Sequence, residues 1–133
     1  MKGKAVAAVL GGSLLILSSA AHAFLGWPAI SAALKETNAT AELTTDLTIG
    51  WLFGSTAMLA FGLIVLVFGV RLLRGGIADR CPAMVIAGCY FCFGLAAFVW
   101  THHNPHFIGF MVIGAIVAIA ASGVARQEQG QVD

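Results

Sequence analysis

The chain of 133 residues is 59% hydrophobic and only 10% charged, with a formal net charge of +1 and a mean hydropathy of +0.93. A water-soluble core cannot bury that much apolar surface, so the composition excludes a soluble globular protein and predicts an integral membrane protein. Its expected surroundings are the lipid bilayer, and no nucleic-acid partner is expected.

Four uncharged runs are long enough to cross a membrane as helices. About 20 helical residues are needed, because each residue rises 1.5 Å and the hydrocarbon layer is about 30 Å thick. The predicted spans are 5–27, 47–70, 82–101 and 107–125, and none contains Asp, Glu, Lys or Arg. We therefore predict an all-α membrane protein whose single domain, residues 1–133, is a bundle of four transmembrane helices.

The first run, 5–27, has two interpretations. A short basic start, an apolar region and Ala21-His22-Ala23 are typical of a secretory signal peptide and its cleavage site. The apolar stretch nevertheless continues to Trp27 and so has the length of a complete span. The sequence favours an uncleaved helix, and cleavage of residues 1–23 is the alternative.

The longest predicted loop, residues 29–46, follows the first span. Apolar residues in 30–34 lie at helical spacing against Lys35 and Glu36, which predicts a short amphipathic helix on the outer membrane surface. Thr44-Thr45-Asp46 is expected to cap the first free N–H groups of span two.

Basic residues predict the orientation. Six of the seven lysines and arginines flank span ends that must share one side of the membrane: Lys2, Lys4, Arg71, Arg74, Arg80 and Arg126. The positive-inside rule then places both termini and the middle loop in the cytoplasm. Trp27, Trp51 and Trp100 fall at the opposite ends, where an outer aromatic belt would lie. The plan is typical of small bacterial inner-membrane proteins, so we expect a multi-pass protein of the cell membrane.

Small residues predict where helices pack. Gly50-xxx-Gly54 on span two and Gly114-xxx-Ala118-xxx-Ser122 on span four allow backbones to approach closely. Packing within one bundle is the expected use of these motifs. Contact between copies in a homo-oligomer is the alternative.

Cys89 and Cys92 form a CxxC motif in the middle of span three. We expect apolar buried cysteines here, because redox-active CxxC motifs begin a helix whose dipole activates the thiol. Cys81 lies at the other end of the span, so the chain also lacks the loop cysteines that membrane thiol oxidoreductases use to relay electrons.

The four histidines are the candidates for chemistry. His22 lies near the outer end of span one, while His102, His103 and His106 occupy the hairpin between spans three and four. Imidazole binds metals and haem, so convergence of His22 with the hairpin would form a site for a metal, haem or quinone. In the alternative, the hairpin histidines contact lipid headgroups and His22 bonds a neighbouring serine or carbonyl.

No catalytic residue is predicted, since no Ser-His-Asp group or phosphate-binding loop stands out. The spans also lack the acidic residue on which small proton-coupled exporters rely. Short loops, no soluble domain and several close-packing faces predict a structural or accessory subunit of a larger membrane complex. A metal-, haem- or quinone-binding protein is the alternative hypothesis, and a small transporter is the third.

Overall fold

The computed structural model describes residues 2–122, and every regular element in that range is helical. The five α-helices are α1 (Lys2–Ala21), α2 (Trp27–Glu36), α3 (Ala41–Leu73), α4 (Cys81–Trp100) and α5 (Ile108–Ala121). A π-helical segment, His22–Gly26, joins α1 to α2, and a 3-10 turn, Pro105–Phe107, leads into α5. The all-helical prediction is confirmed for this range.

Three helices in the described range are long and apolar enough to cross a membrane: Lys2–Glu36, Ala41–Leu73 and Cys81–Trp100. Their length and composition suit a membrane protein, as predicted. The fourth apolar helix, Pro105–Ala121, is shorter than a full span. The rest of the predicted fourth span, residues 123–125, lies outside the described residues, as does Arg126.

The first helix does not end at Trp27, which corrects the predicted boundary. Helical structure continues through the π-helical segment to Glu36, so the helix predicted after the first span is present as α2 and follows α1 without a break. Pro28 occupies one of the first two positions of α2. Its missing N–H therefore falls directly after the π-helical turn, where the regular ladder of hydrogen bonds is already interrupted.

The start of α3 also differs from the prediction. Thr40 has extended backbone angles, and its side chain accepts a hydrogen bond from the Leu43 N–H at 3.2 Å. Thr44 and Thr45 lie inside the helix, where their hydroxyls donate to carbonyls four residues earlier. The cap is thus Thr40, and the predicted cap at 44–46 is wrong because the helix begins one turn sooner.

Helices α1 and α3 form the most extensive pair of the described fold. The residues that α1 buries recur every three or four positions, as one stripe of an α-helix requires. They are Ala5, Ala8, Gly11, Gly12, Leu15 and Ser19. The facing stripe of α3 comprises Ser55, Gly62, Val65, Phe68 and Gly69.

Glycines bring the two backbones of this pair into contact. A Cβ atom on Gly12 would lie 2.5 Å from the backbone nitrogen of Leu66, and one on Gly62 would lie 2.9 Å from that of Ile16. A Cβ on Gly69 would lie 2.7 Å from the backbone nitrogen of Val9. No other residue type fits these three positions without a shift of one helix.

The second pair consists of α4 and α5, and α1 also contacts α5. Gly114 of the predicted packing motif lies against α4, since a Cβ there would be 2.8 Å from the Ala87 oxygen. Ala118 packs beside the buried core. Helix α4 contacts α3 only sparsely although the two are consecutive, which leaves space between the pairs.

The other predicted packing residues have different surroundings. Gly54 is close to the ring of His22, whose Cε1 lies 3.7 Å from the glycine Cβ position. Gly50 is exposed, with no atom of the described structure within 4 Å of its Cβ position. Ser122 is exposed and donates to the Ile119 oxygen. Within the described chain, Gly50 and Ser122 therefore do not lie at a helix contact.

Substituting Gly12 tests the α1–α3 contact. We expect Gly12→Ala to lower the free energy of unfolding by about 1–3 kcal/mol, because its methyl group meets the backbone of α3. The matched control is Gly50→Ala, which meets open space and should be neutral or stabilising by up to about 1 kcal/mol through helix propensity. Thermal unfolding followed by circular dichroism in detergent measures both, and equal effects of the two substitutions would contradict the packing described.

Candidate functional site

His22 begins the π-helical segment and is held by Trp51 of α3. The two rings stack with centroids 3.9 Å apart and planes 8° from parallel. The indole Nε1–H also donates to the backbone oxygen of His22 at 2.7 Å. One tryptophan therefore fixes both the ring and the main chain of His22.

Ser55 of α3 makes three contacts in the same region, one of which is to α1. Its Oγ lies 2.9 Å from His22 Nδ1 and donates to the Trp51 oxygen at 3.0 Å. Its backbone oxygen accepts from the Ser19 hydroxyl at 2.7 Å. Ser19 thus bonds the backbone of α3, and the partner of His22 is a residue of α3 and not a neighbouring serine of its own helix.

A cleft of about 590 Å³ opens beside this network, between the two helix pairs. His22, Trp51, Tyr90, His106 and Phe110 border it, together with aliphatic side chains. A smaller cavity of about 270 Å³ shares His22, Tyr90 and Phe110 with it. The size of the cleft and its few polar groups on an apolar lining are typical of a small-molecule site.

Tyr90 of α4 is the residue that sequence reasoning missed. Its side chain is buried between Phe61 and Phe110, with ring centroids 6.4 and 5.8 Å away. Its hydroxyl is buried and has no hydrogen-bond partner among residues 2–122. Such a group costs about 1–3 kcal/mol, so it calls for an explanation. Two features of the sequence could have pointed to Tyr90: it is the only tyrosine of the chain, and it lies in an uncharged span.

The structure brings together two of the four histidines proposed as a site. His106 borders the same cleft as His22, and its ring lies near Phe107 and Phe110 with centroids 5.5 and 6.0 Å away. In the range 2–122, no group of three or more His, Cys, Asp or Glu residues is placed to hold a metal ion.

His102 and His103 form the turn after α4 and do not border the cleft. Both have positive φ angles, 55° and 70°. Their backbone N–H groups donate to the Val99 and Phe98 oxygens, which closes the end of the helix. The His103 ring meets the edge of Phe98 at a centroid distance of 5.0 Å.

The cysteines do not have the expected surroundings. Cys81, Cys89 and Cys92 are all free and exposed on the protein surface, so the prediction that Cys89 and Cys92 are buried is wrong. The reason is the face of α4 on which they lie: its buried stripe is Ala83, Ile86, Ala87, Tyr90 and Gly94. Cys89 also borders the smaller cavity.

Comparison of the chain with protein-family models, curated proteins and solved structures finds no match. Function is therefore argued from the chemistry of the cleft alone, because a shared architecture without a shared site transfers no activity.

Substituting Gly26 tests how the His22–Trp51 stack is held. A Cβ on Gly26 would lie 2.6 Å from Trp51 Cζ2, so Gly26→Ala should displace the indole and lower the unfolding midpoint. The displacement is measured as a change in Trp51 emission in a Trp27→Phe, Trp100→Phe background.

The control is Gly109→Ala, since Gly109 borders the same cleft but has no atom within 4 Å of its Cβ position. We expect that variant to keep the parental emission. Unchanged Trp51 emission in Gly26→Ala would show that the indole is not confined by Gly26.

Proposed function

We propose that this chain is a four-span protein of a cell membrane that binds a small amphipathic molecule in the cleft beside His22. One observation carries the proposal: His22 and Tyr90, whose buried hydroxyl has no partner in the described range, border a single apolar cleft. An ionisable residue within a membrane-spanning helix is a functional candidate because lipid gives it no solvation.

The lining favours an organic ligand over a bare metal ion. Trp51 and Phe110 supply flat apolar walls, and His22, Tyr90 and His106 supply the few polar atoms that would orient a head group. Haem ligation by His22 and His106 is a second version of the same proposal, since one or two imidazoles suffice for an axial bond. A metal ion alone has less support, because the described residues contain no group of three ligands.

Filling the cleft tests the proposal directly. Gly109 borders the cleft with open space around its Cβ position, so Gly109→Leu should occupy the site without moving a backbone. Gly88→Leu is the matched control. Gly88 also lies in a helix and has open space around its Cβ position, but it borders a different groove.

The readout is the material retained by the purified protein. We expect an organic extract to yield a stoichiometric lipophilic molecule from the parent and from Gly88→Leu, and less than a tenth of it from Gly109→Leu. An absorption spectrum identifies haem and elemental analysis identifies metal. Absence of any bound molecule, or equal retention by both variants, would count against binding in this cleft.

The proposed topology has both termini and the connection between α3 and α4 in the cytoplasm. It is supported by the positions of the basic residues, with α5 and the residues after it forming the fourth span. His22, Trp51 and the cleft then lie toward the outer face.

Cysteine labelling tests this topology. In a Cys89→Ala, Cys92→Ala background, Cys81 should react with a membrane-impermeant maleimide only in inside-out vesicles. The control, Asn38→Cys with Cys81→Ala in the same background, should react only in right-side-out vesicles. The reverse pattern would invert the topology, and labelling of both positions from one side would exclude four spans.

An accessory or structural role in a larger complex is the second candidate. The first helix and α3 have 35 and 33 residues, so each is about 50 Å long, while α4 has only 20 residues. Near Trp51, Phe24, Leu25 and Phe53 are 78%, 73% and 75% exposed. Lipid covers this apolar surface when the chain is alone in a bilayer, and a membrane-protein partner or a second copy would replace that lipid in a complex.

Co-purification separates this candidate from a protein that acts alone. After extraction in a mild detergent, the accessory role predicts a stable particle much heavier than the 13.8 kDa chain and containing either another protein or further copies. A monodisperse single chain would argue strongly against it.

A further inference from the structure

The hydrogen bonds around Ser55 determine which nitrogen of His22 faces a ligand as an acceptor. We infer that neutral His22 carries its proton on Nδ1, so that the cleft selects a head group that donates a hydrogen bond to Nε2: a hydroquinone in preference to the oxidised quinone. This inference rests on the proposed binding function and names its ligand class.

The tautomer follows from counting protons at Ser55. Its hydroxyl has one proton and two polar neighbours, His22 Nδ1 at 2.9 Å and the Trp51 oxygen at 3.0 Å. The Trp51 carbonyl can only accept, so it takes the hydroxyl proton. Both contacts are hydrogen bonds only if His22 Nδ1–H donates to Ser55 Oγ.

The second ring nitrogen is then unprotonated. Neutral imidazole has one N–H, and the bond made at one nitrogen sets the role of the other. Stacking on Trp51 holds the ring plane, and the bond to Ser55 holds its Nδ1 edge toward α3. Nε2 of His22 is therefore a fixed hydrogen-bond acceptor on a residue that borders the cleft.

The head group of a hydroquinone matches this acceptor. One of its two hydroxyls can donate a hydrogen bond to His22 Nε2. The oxygens of a quinone only accept, so a quinone leaves the lone pair of Nε2 unpaired. Tyr90 does not enter the comparison, because its hydroxyl is buried and could donate to an oxygen of either form.

The difference between the two forms is one neutral hydrogen bond, which corresponds to about 3- to 10-fold in affinity. His106 favours neither form, because no hydrogen bond in the described range fixes the tautomer of its ring, so the ring can donate to a quinone or accept from a hydroquinone. Trp51 and Phe110 contact the ring face of either form equally, so they do not discriminate.

The test compares three ligands with the same ring and side chain on the purified full-length protein in the Trp27→Phe, Trp100→Phe background: a short-chain hydroquinone kept anaerobic, its quinone, and its di-O-methyl ether. We expect the hydroquinone to bind about 3- to 10-fold more tightly than the other two, by titration of Trp51 emission. In Ser55→Ala, Nδ1 loses its acceptor and the ring can protonate Nε2, so the preference should disappear or reverse. Ser31→Ala is the control, since the Ser31 hydroxyl donates to the Pro28 oxygen away from the cleft.

Nitrogen-15 NMR of the histidine rings reads the tautomer without any ligand, with the His22 signals assigned by their loss in His22→Gln. Protonated Nδ1 in the parent supports the inference, and protonated Nε2 overturns it. Preference for the quinone by the parent also overturns it, while binding in the cleft stands. If none of the three compounds binds, the quinone-like ligand fails, and the NMR result still decides the tautomer.

Discussion

The close approach of α1 to α3 is the constraint on which the rest of the structure depends. Lipid supplies no hydrophobic drive for helices to associate, so their pairing rests on backbone contact and interhelical hydrogen bonds. Gly69 meets Val9, Gly62 meets Ile16, and Ser55 then meets Ser19 further along the same antiparallel seam. The His22–Trp51 stack lies at the next step. The hydrogen bonds around Ser55 thus continue the line of glycine contacts between α1 and α3. Their short lengths require the two helices to approach closely.

The cleft exists because the second helix pair, α4 and α5, packs on the first pair mainly through one contact, that between α5 and α1. Helix α4 packs mainly on α5, and α5 touches α1, whereas α3 and α4 meet only sparsely. Space therefore remains at the level where α1 changes to a π-helical turn. Tyr90 enters that space from α4 with an aromatic cluster around it and a hydroxyl that the described residues do not satisfy. The α1–α3 pair lines one side of this space, and α4 and α5 line the other.

Sequence reasoning predicted much of the fold because absence of charge is a direct physical requirement for a buried or membrane-spanning helix. The predicted third span, 82–101, differs by one residue at each end from the observed helix α4, Cys81–Trp100. The continuation through Pro28 was not foreseen, since proline is tolerated there only because a π-helical turn precedes it. Small-residue motifs indicated close packing but not its face, so Gly50 was named where Gly62 and Gly69 make the contact. The role of Tyr90 is not visible in sequence, because it depends on the register between helices.

The π-helical segment also sets the rotational phase of everything that follows it. Leu34 of α2 is half-buried while Ala33 is exposed, so Leu34 lies on the side of the helix to which Leu15 belongs. Five turns of regular α-helix take about 18 residues, one fewer than separate these two leucines. The segment inserts that one residue, and so it acts as a phase correction between the apolar stripe of α1 and the apolar face of α2. Without the extra residue, the hydrophobic pattern of α2 would have to shift by one position to keep its apolar face on the same side.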